Sequence, residues 1–180
     1  VAIVNKTKDK TPDIAASAQT IVAAANHIYD GMHNIIRQLR PAAMDNMGLI
    51  ETLRDMVAGY QTQHTTLDIQ LQVTGQFQPM GENVNINIYR IVQEAVNNAI
   101  KHAHAKSIKV HITSGSNDLL LTIIDDGVGM PEKEIDQTRH FGLLGMRERV
   151  QALHGQFKVV SQPDTGRGTM VEIRLPLQAA

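Results

Sequence analysis

Gln93-Glu94-Ala95-Val96-Asn97-Asn98-Ala99-Ile100-Lys101-His102, followed about thirty residues on by Asp125-Asp126-Gly127-Val128-Gly129-Met130, is the pair of stretches on which the fold and the site turn. The first sits in a helical pattern and the second ends a strand. In the helix expected from Glu82 to His102, Val84, Ile88, Ile91, Val92, Ala95 and Ala99 form an apolar face. Glu94, Asn98 and Lys101 recur at four-then-three spacing on the adjoining stripe. A carboxylate, an amide and an ammonium therefore line the edge of a core. Mg²⁺ takes hard oxygen ligands yet keeps several waters, so one amide oxygen from Asn98 suffices beside phosphate oxygens and water. Glu94 can then orient or deprotonate a water, and Lys101 can offset phosphate charge. Taken alone, the same helix reads equally well as a solvated polar flank.

Asp125 closes a strand whose apolar residues lead into Gly127 and Gly129. Such a carboxylate lies beside backbone that a flat ligand can approach without side-chain obstruction. The amino group of adenine donates to an acceptor of this kind, whereas guanine presents a carbonyl oxygen at the same place. A preference for ATP over GTP follows, because the mismatch sets two acceptors against each other in a buried position. Aspartate-glycine turns are also common as plain turns, and Asp126 fits that role. Gly142, Gly145, Gly166 and Gly168 can offer backbone N–H groups to phosphate oxygens, joined by the positive end of a helix at Leu143. Each is equally readable as a turn, and Gly166-Arg167-Gly168 as a hairpin.

Outward from these stretches, the apolar positions Ile14, Ala18, Ile21, Ala25, Ile28, Met32, Ile35 and Leu39 alternate by four and three, a narrow seam typical of paired helices. That helix should stop before Pro41, and its seam predicts a dimer. After a connection holding Asp45 and Gly48, a second helix carries Leu49, Ile50, Leu53, Met56, Val57 and Tyr60. Leu67 to Val73 alternates as a strand. Ile108–Ile112 and Leu119–Ile123 form a hairpin, and Glu132 to His140 is polar. A helix from Leu143 to Leu153 ends at Gly155, and Phe157–Val159 and Met170–Leu175 close the chain as strands. The predicted fold is α+β: an α/β sandwich with helices on one face of a mixed, mostly antiparallel sheet, preceded by a helical stem. The division expected is 1–41 for the stem and 42–180 for the catalytic domain.

The chain has 180 residues, eight histidines, no cysteine and a net charge of −1. Near-neutral charge gives no electrostatic footing for nucleic acid. Absence of cysteine removes disulfides, thiolate metal sites and cysteine nucleophiles. No apolar run approaches the ~20 residues that span a bilayer, so no membrane contact is expected of this chain.

The order of motifs, Glu94-x-x-x-Asn98, Asp125-x-Gly127-x-Gly129, a polar stretch, then Gly166-x-Gly168-Thr169, resembles the GHKL (Bergerat-type) superfamily of ATP-binding domains shared by gyrase-type ATPases, chaperones and sensor histidine kinases. Tyr89-Arg90-Ile91-Val92-Gln93-Glu94-Ala95, Lys101-His102-Ala103, Phe141-Gly142-Leu143-Leu144-Gly145-Met146-Arg147-Glu148-Arg149-Val150 and Leu39-Arg40-Pro41 look like the nitrate-sensor and hexose-phosphate-sensor branch of two-component histidine kinases. The resemblance implies Asn98 for Mg²⁺, Asp125 for the adenine amino group and Gly127 and Gly129 for the base pocket. Gly142, Leu143, Gly145, Gly166, Gly168 and Thr169 fall around the lid and phosphates, Lys101 and His102 near the phosphates, and Glu94 as an orienting group or base. It further implies a homodimer through the stem, a response-regulator receiver domain as partner, and a cytoplasmic setting, with the complete parent open to anchoring in the inner membrane.

One departure stands out. The family's phosphoacceptor histidine is followed by an acidic residue, and none of the eight histidines here is; His27 and His33 precede Ile28 and Asn34. With Val1 entering directly on an apolar stretch, the chain reads as a fragment starting just after that motif, so autophosphorylation should fail while ATP binding survives. Two other functions share the pocket: a serine kinase of the anti-sigma-factor type, against which the seam argues, and a nucleotide-sensing module without catalysis.

Overall fold

The computed structural model describes residues 17–22, 24, 43–77, 80–130, 141–161 and 168–177. The chain divides into two compact units, Val1–Arg40 and Pro41–Ala180. In the first, residues 17–22 are helical, and Ile21, on the seam, is 68% exposed. The remaining seam positions apart from Ala18, and the end of the stem before Pro41, lie outside the described residues.

The second unit runs α1 (Ala43–Gln63), β1 (Asp68–Thr74), α2 (Glu82–Asn98), a π-turn (Ala99–Ala103), β2 (Ser107–Ser114), β3 (Asp118–Asp125), α3 (Phe141–Ala152), β4 (Gln156–Ser161) and β5 (Thr169–Pro176). The strands form one sheet in the order β1-β2-β3-β5-β4. β1 pairs with β2 in parallel and the other pairs are antiparallel, giving the mixed sheet expected. A parallel pair needs a crossover rather than a hairpin, and α2 supplies it.

One face of the sheet is dry. Ile69, Ile108, Val110, Ile112, Leu119, Leu121, Ile123, Val171, Ile173 and Leu175 are buried, while Gln70, Lys109, Thr113 and Arg174 on the opposite face are exposed. The helices cover the dry face: Leu49, Leu53 and Val57 of α1, Ile88, Ile91, Val92, Ala95 and Val96 of α2, and Leu143, Met146 and Val150 of α3 join one hydrophobic cluster with the strands. Burial on this scale is the main favourable term, about 1.5–3 kcal/mol for each large apolar side chain.

Two element boundaries differ from expectation. The connection before Leu49 is itself helical from Ala43 and bends at Gly48, whose φ of 75° interrupts α1. The Thr52 hydroxyl donates to the Gly48 carbonyl at 2.7 Å and so occupies an acceptor next to the break. The helix expected to run unbroken to His102 is α-helical only to Asn98, then widens to the π-turn and stops at His104 with φ 51°.

The dry face sets the first test. Leu121→Ala should lower the unfolding free energy in urea by about 2–5 kcal/mol, whereas Gln70→Ala on the wet face should stay within about 0.5 kcal/mol. Equal effects at the two positions would contradict the assignment of faces.

Candidate functional site

The chemistry-bearing residues gather at one end of the sheet, where β3 and β4 stop, β2 and β5 begin, and α2 terminates. The two-residue period of β3 turns Leu119, Leu121 and Ile123 to the helix-covered face, and the next residue in that series is Asp125. Asp125 is thereby only 9% exposed. The Gly127 N–H donates to Asp125 Oδ1 at 2.8 Å, and both the N–H and the hydroxyl of Thr169 donate to the same group. Burial is the largest influence and raises the carboxyl above its ordinary 3.8, against the pull of these donors and with added repulsion from Asp126.

Asp126 plays the turn role. Its exposed Oδ1 accepts the backbone N–H groups of Lys106 at 2.7 Å and Ser107 at 2.8 Å, tying the turn to the start of β2. Gly127 is buried, and a Cβ there would run into the carbonyl and methyl of Ala103. The Val128 N–H donates to that carbonyl at 2.9 Å. The aspartate-glycine turn therefore rests directly on the π-turn, an approach that only glycine permits. Beyond it, the Met130 N–H donates to Ser161 Oγ at 2.5 Å, closing the turn against the end of β4.

Glu94 and Asn98 are half-buried on α2, and α3 supplies what faces them. A Cβ on Gly142 would collide with Glu94 Oε1 and come within 3.2 Å of Asn98 Nδ2. The two side chains thus converge on bare backbone in the first turn of α3. This cradle suits a Mg²⁺ that takes one or two oxygens from protein and the rest from phosphate and water. Among the described residues no group of three or more His, Cys, Asp and Glu gathers to hold a metal. Lys101 and His102 are exposed within the π-turn, whose wider winding takes Lys101 out of the regular stripe begun by Glu94 and Asn98.

Leu143 is 8% exposed and belongs to the hydrophobic cluster. At Gly145 the guanidinium of Arg149 folds back and donates to the Gly145 carbonyl at 2.7 Å, a cation one helical turn away that the sequence reading did not single out. Gly168, with φ 87°, backs onto the Asp125 carbonyl. Together with Thr169 it therefore serves the carboxylate end of the site, where the expectation had placed both around the phosphates. Gly129 has φ 74°. Gly166 and the polar stretch 131–140 expected as a lid lie outside the described residues. A cleft of about 1200 Å³ between Phe77, Met80, Leu153 and Leu177 lies at the other end of the sheet. Its lining contains no Asp, Glu, Lys or Arg, so the chemistry assigns the site to the Asp125 end.

Residues 83–179 match the family of histidine kinase-, DNA gyrase B-, and HSP90-like ATPases, and the chain belongs to that family. It is 35% identical over 146 residues, 81% of its length and 37% of the relative's, to the signal transduction histidine-protein kinase/phosphatase DegS of Brevibacillus brevis. It is 29% identical over 163 residues, 91% of its length and 31% of the relative's, to the histidine-protein kinase/phosphatase UhpB of Salmonella typhimurium. The chain spans about a third of the length of these curated relatives. In fold it is similar to the ATP binding domain of PrrB from Mycobacterium tuberculosis, with a TM-score of 0.59, 23% identity, and coverage of 69% of this chain and 90% of that one. The expected α+β fold and family are both borne out.

The raised pKa of Asp125 means that the native state holds this proton more tightly than the unfolded chain does. Its stabilising contribution is fully present below pH 3.8 and is lost as pH rises through the raised value. Asp125→Asn, which keeps an acceptor for Gly127 and Thr169, should therefore melt higher than wild type at neutral pH, with the advantage shrinking as pH falls toward 3.8. A variant that melts lower at neutral pH would show that hydrogen bonding to the charged form outweighs burial.

Proposed function

We propose that the chain is the ATP-binding catalytic region of a sensor histidine kinase, holding Mg-ATP between the end of α2, the Asp125 turn and the start of α3. The observation that carries this is the buried Asp125 carboxylate on the covered face, walled by glycine backbone, with a second oxygen-bearing pair, Glu94 and Asn98, meeting over Gly142. One end suits a purine amino group and the other suits a hydrated magnesium ion. The names of the relatives, histidine-protein kinases, give the direction of the chemistry.

In this reading Asp125 accepts from adenine, Thr169 holds its carboxylate in place, and Gly127 and Gly129 admit the base. Asn98 offers its amide oxygen to Mg²⁺, with Glu94 as the orienting group or base. Lys101 and His102 reach toward the phosphates from the π-turn, Gly142, Leu143 and Gly145 present the N-terminal end of α3, and Gly168 backs the Asp125 turn; Gly166 is proposed for the phosphates from the sequence alone. Phosphoryl transfer asks chiefly for positioning and charge neutralisation, which is what these groups provide. In the complete protein the γ-phosphate moves to a histidine and then to an aspartate of a response-regulator receiver domain. Residues 1–41 belong to a dimerisation stem; the seam spacing and the 68% exposure of Ile21 support pairing of two copies. A cytoplasmic setting is what the family resemblance implies; separately, among the described residues no helix is long and apolar enough to cross a membrane.

Incubation with Mg²⁺, γ-labelled ATP and a separate polypeptide carrying an acceptor histidine should place acid-labile label on that histidine. Asn98→Ala should reduce the transfer on the order of 100-fold, as loss of one group stabilising developing charge does. Intact Mg-ATP binding without any transfer by wild type would instead identify a nucleotide-sensing module.

A further inference from the structure

The hydroxyl of Tyr60 donates to Asn97 Oδ1 at 2.9 Å, joining the last turns of α1 and α2. The Tyr60 ring packs against the hydrophobic cluster, so its position is set by the core. Asn97 and Asn98 are consecutive and therefore about 100° apart around the helix: Asn97 meets α1, while Asn98 meets Gly142 of α3. Regular α-helical bonding ends at this point, because the π-turn begins at Ala99. Val96 and Ala99 anchor this turn in the core, and the Tyr60 bond adds a polar tie on its flank.

We propose that Tyr60 is a positioning residue that, through Asn97, fixes the rotation of the last turn of α2 and with it the placement of Asn98. The inference rests on the Mg-ATP reading of the site. O–H···O bonds form at about 2.5–3.0 Å and are gone by about 3.6 Å, so a shift of α1 by about 1 Å away from α2 releases the tie. Any displacement of α1 away from α2 therefore acts on the proposed metal ligand without touching it. Tyr60 thereby provides a point of regulation for the same site.

The test is calorimetric ATP affinity with Mg²⁺ and again in excess EDTA, for wild type, Tyr60→Phe, Asn97→Ala and Gln61→Ala. Gln61 is the control: its Nε2 donates to the Ile69 carbonyl at 2.8 Å, tying α1 to β1 rather than to α2. Tyr60→Phe and Asn97→Ala should each weaken binding in Mg²⁺ about three- to tenfold, the range for one lost neutral hydrogen bond, and leave binding in EDTA unchanged. Gln61→Ala should match wild type in both media. The inference is overturned if Tyr60→Phe equals wild type in Mg²⁺, if its loss is the same in EDTA, or if Gln61→Ala reproduces it. A wild type indifferent to Mg²⁺ overturns the reading of the site and this inference together, whereas Mg²⁺ dependence untouched by Tyr60→Phe overturns this inference alone.

Discussion

A carboxylate at the end of an inner strand, on the face that the helices cover, is the constraint around which this fold is arranged. Desolvation disfavours the charged form, so Asp125 is tolerable only with donors aimed at it, and three come from Gly127 and Thr169. Those donors require the chain to turn sharply after β3 and require β5 to start beside it. The turn in turn needs glycine, because Ala103 of the π-turn stands where a side chain would be. The arrangement accepts a loss of stability for the empty protein in exchange for a fixed acceptor, a trade that binding sites commonly make.

The other end of the site depends on α2. Its inward face is held by Ile88, Ile91, Val92 and Val96, which are fully buried, and its final turn is also met on its flanks by Tyr60 on one side and by the close approach of Gly142 on the other. The switch to a π-turn immediately afterward lets Ala103 reach the Asp125 turn. A single helix end thus links the two halves of the site, those proposed for the metal and for the base, so their geometries are not independent.

Much of this is legible in residue patterns. The alternation Leu119, Leu121, Ile123 both announces a half-covered strand and, extended one step, assigns Asp125 to the covered face. The spacing of Glu94 and Asn98 gives one helical stripe, and Gly127 follows from the turn. The π-turn is not legible, because the apolar spacing through Ala99 and Ala103 suits an α-helix, and the turn is seen only where Ala103 comes against Gly127 in the folded chain. The service of Gly168 and Thr169 to Asp125 depends on β5 inserting between β3 and β4, a matter of strand order with no local signal. Tyr60 has the same character: at helical spacing it reads as one more core residue, and only the packing of α1 beside α2 brings its hydroxyl to Asn97.

The most direct measurement is calorimetry of the chain with Mg-ATP beside Mg-inosine triphosphate, two ligands that differ in an amino donor against a carbonyl acceptor at the position assigned to Asp125. The expected result is clear binding of ATP and a loss of at least about tenfold for the inosine nucleotide, since mispairing a buried polar group costs about 1–3 kcal/mol. Equal affinity for the two would contradict a base held by this carboxylate.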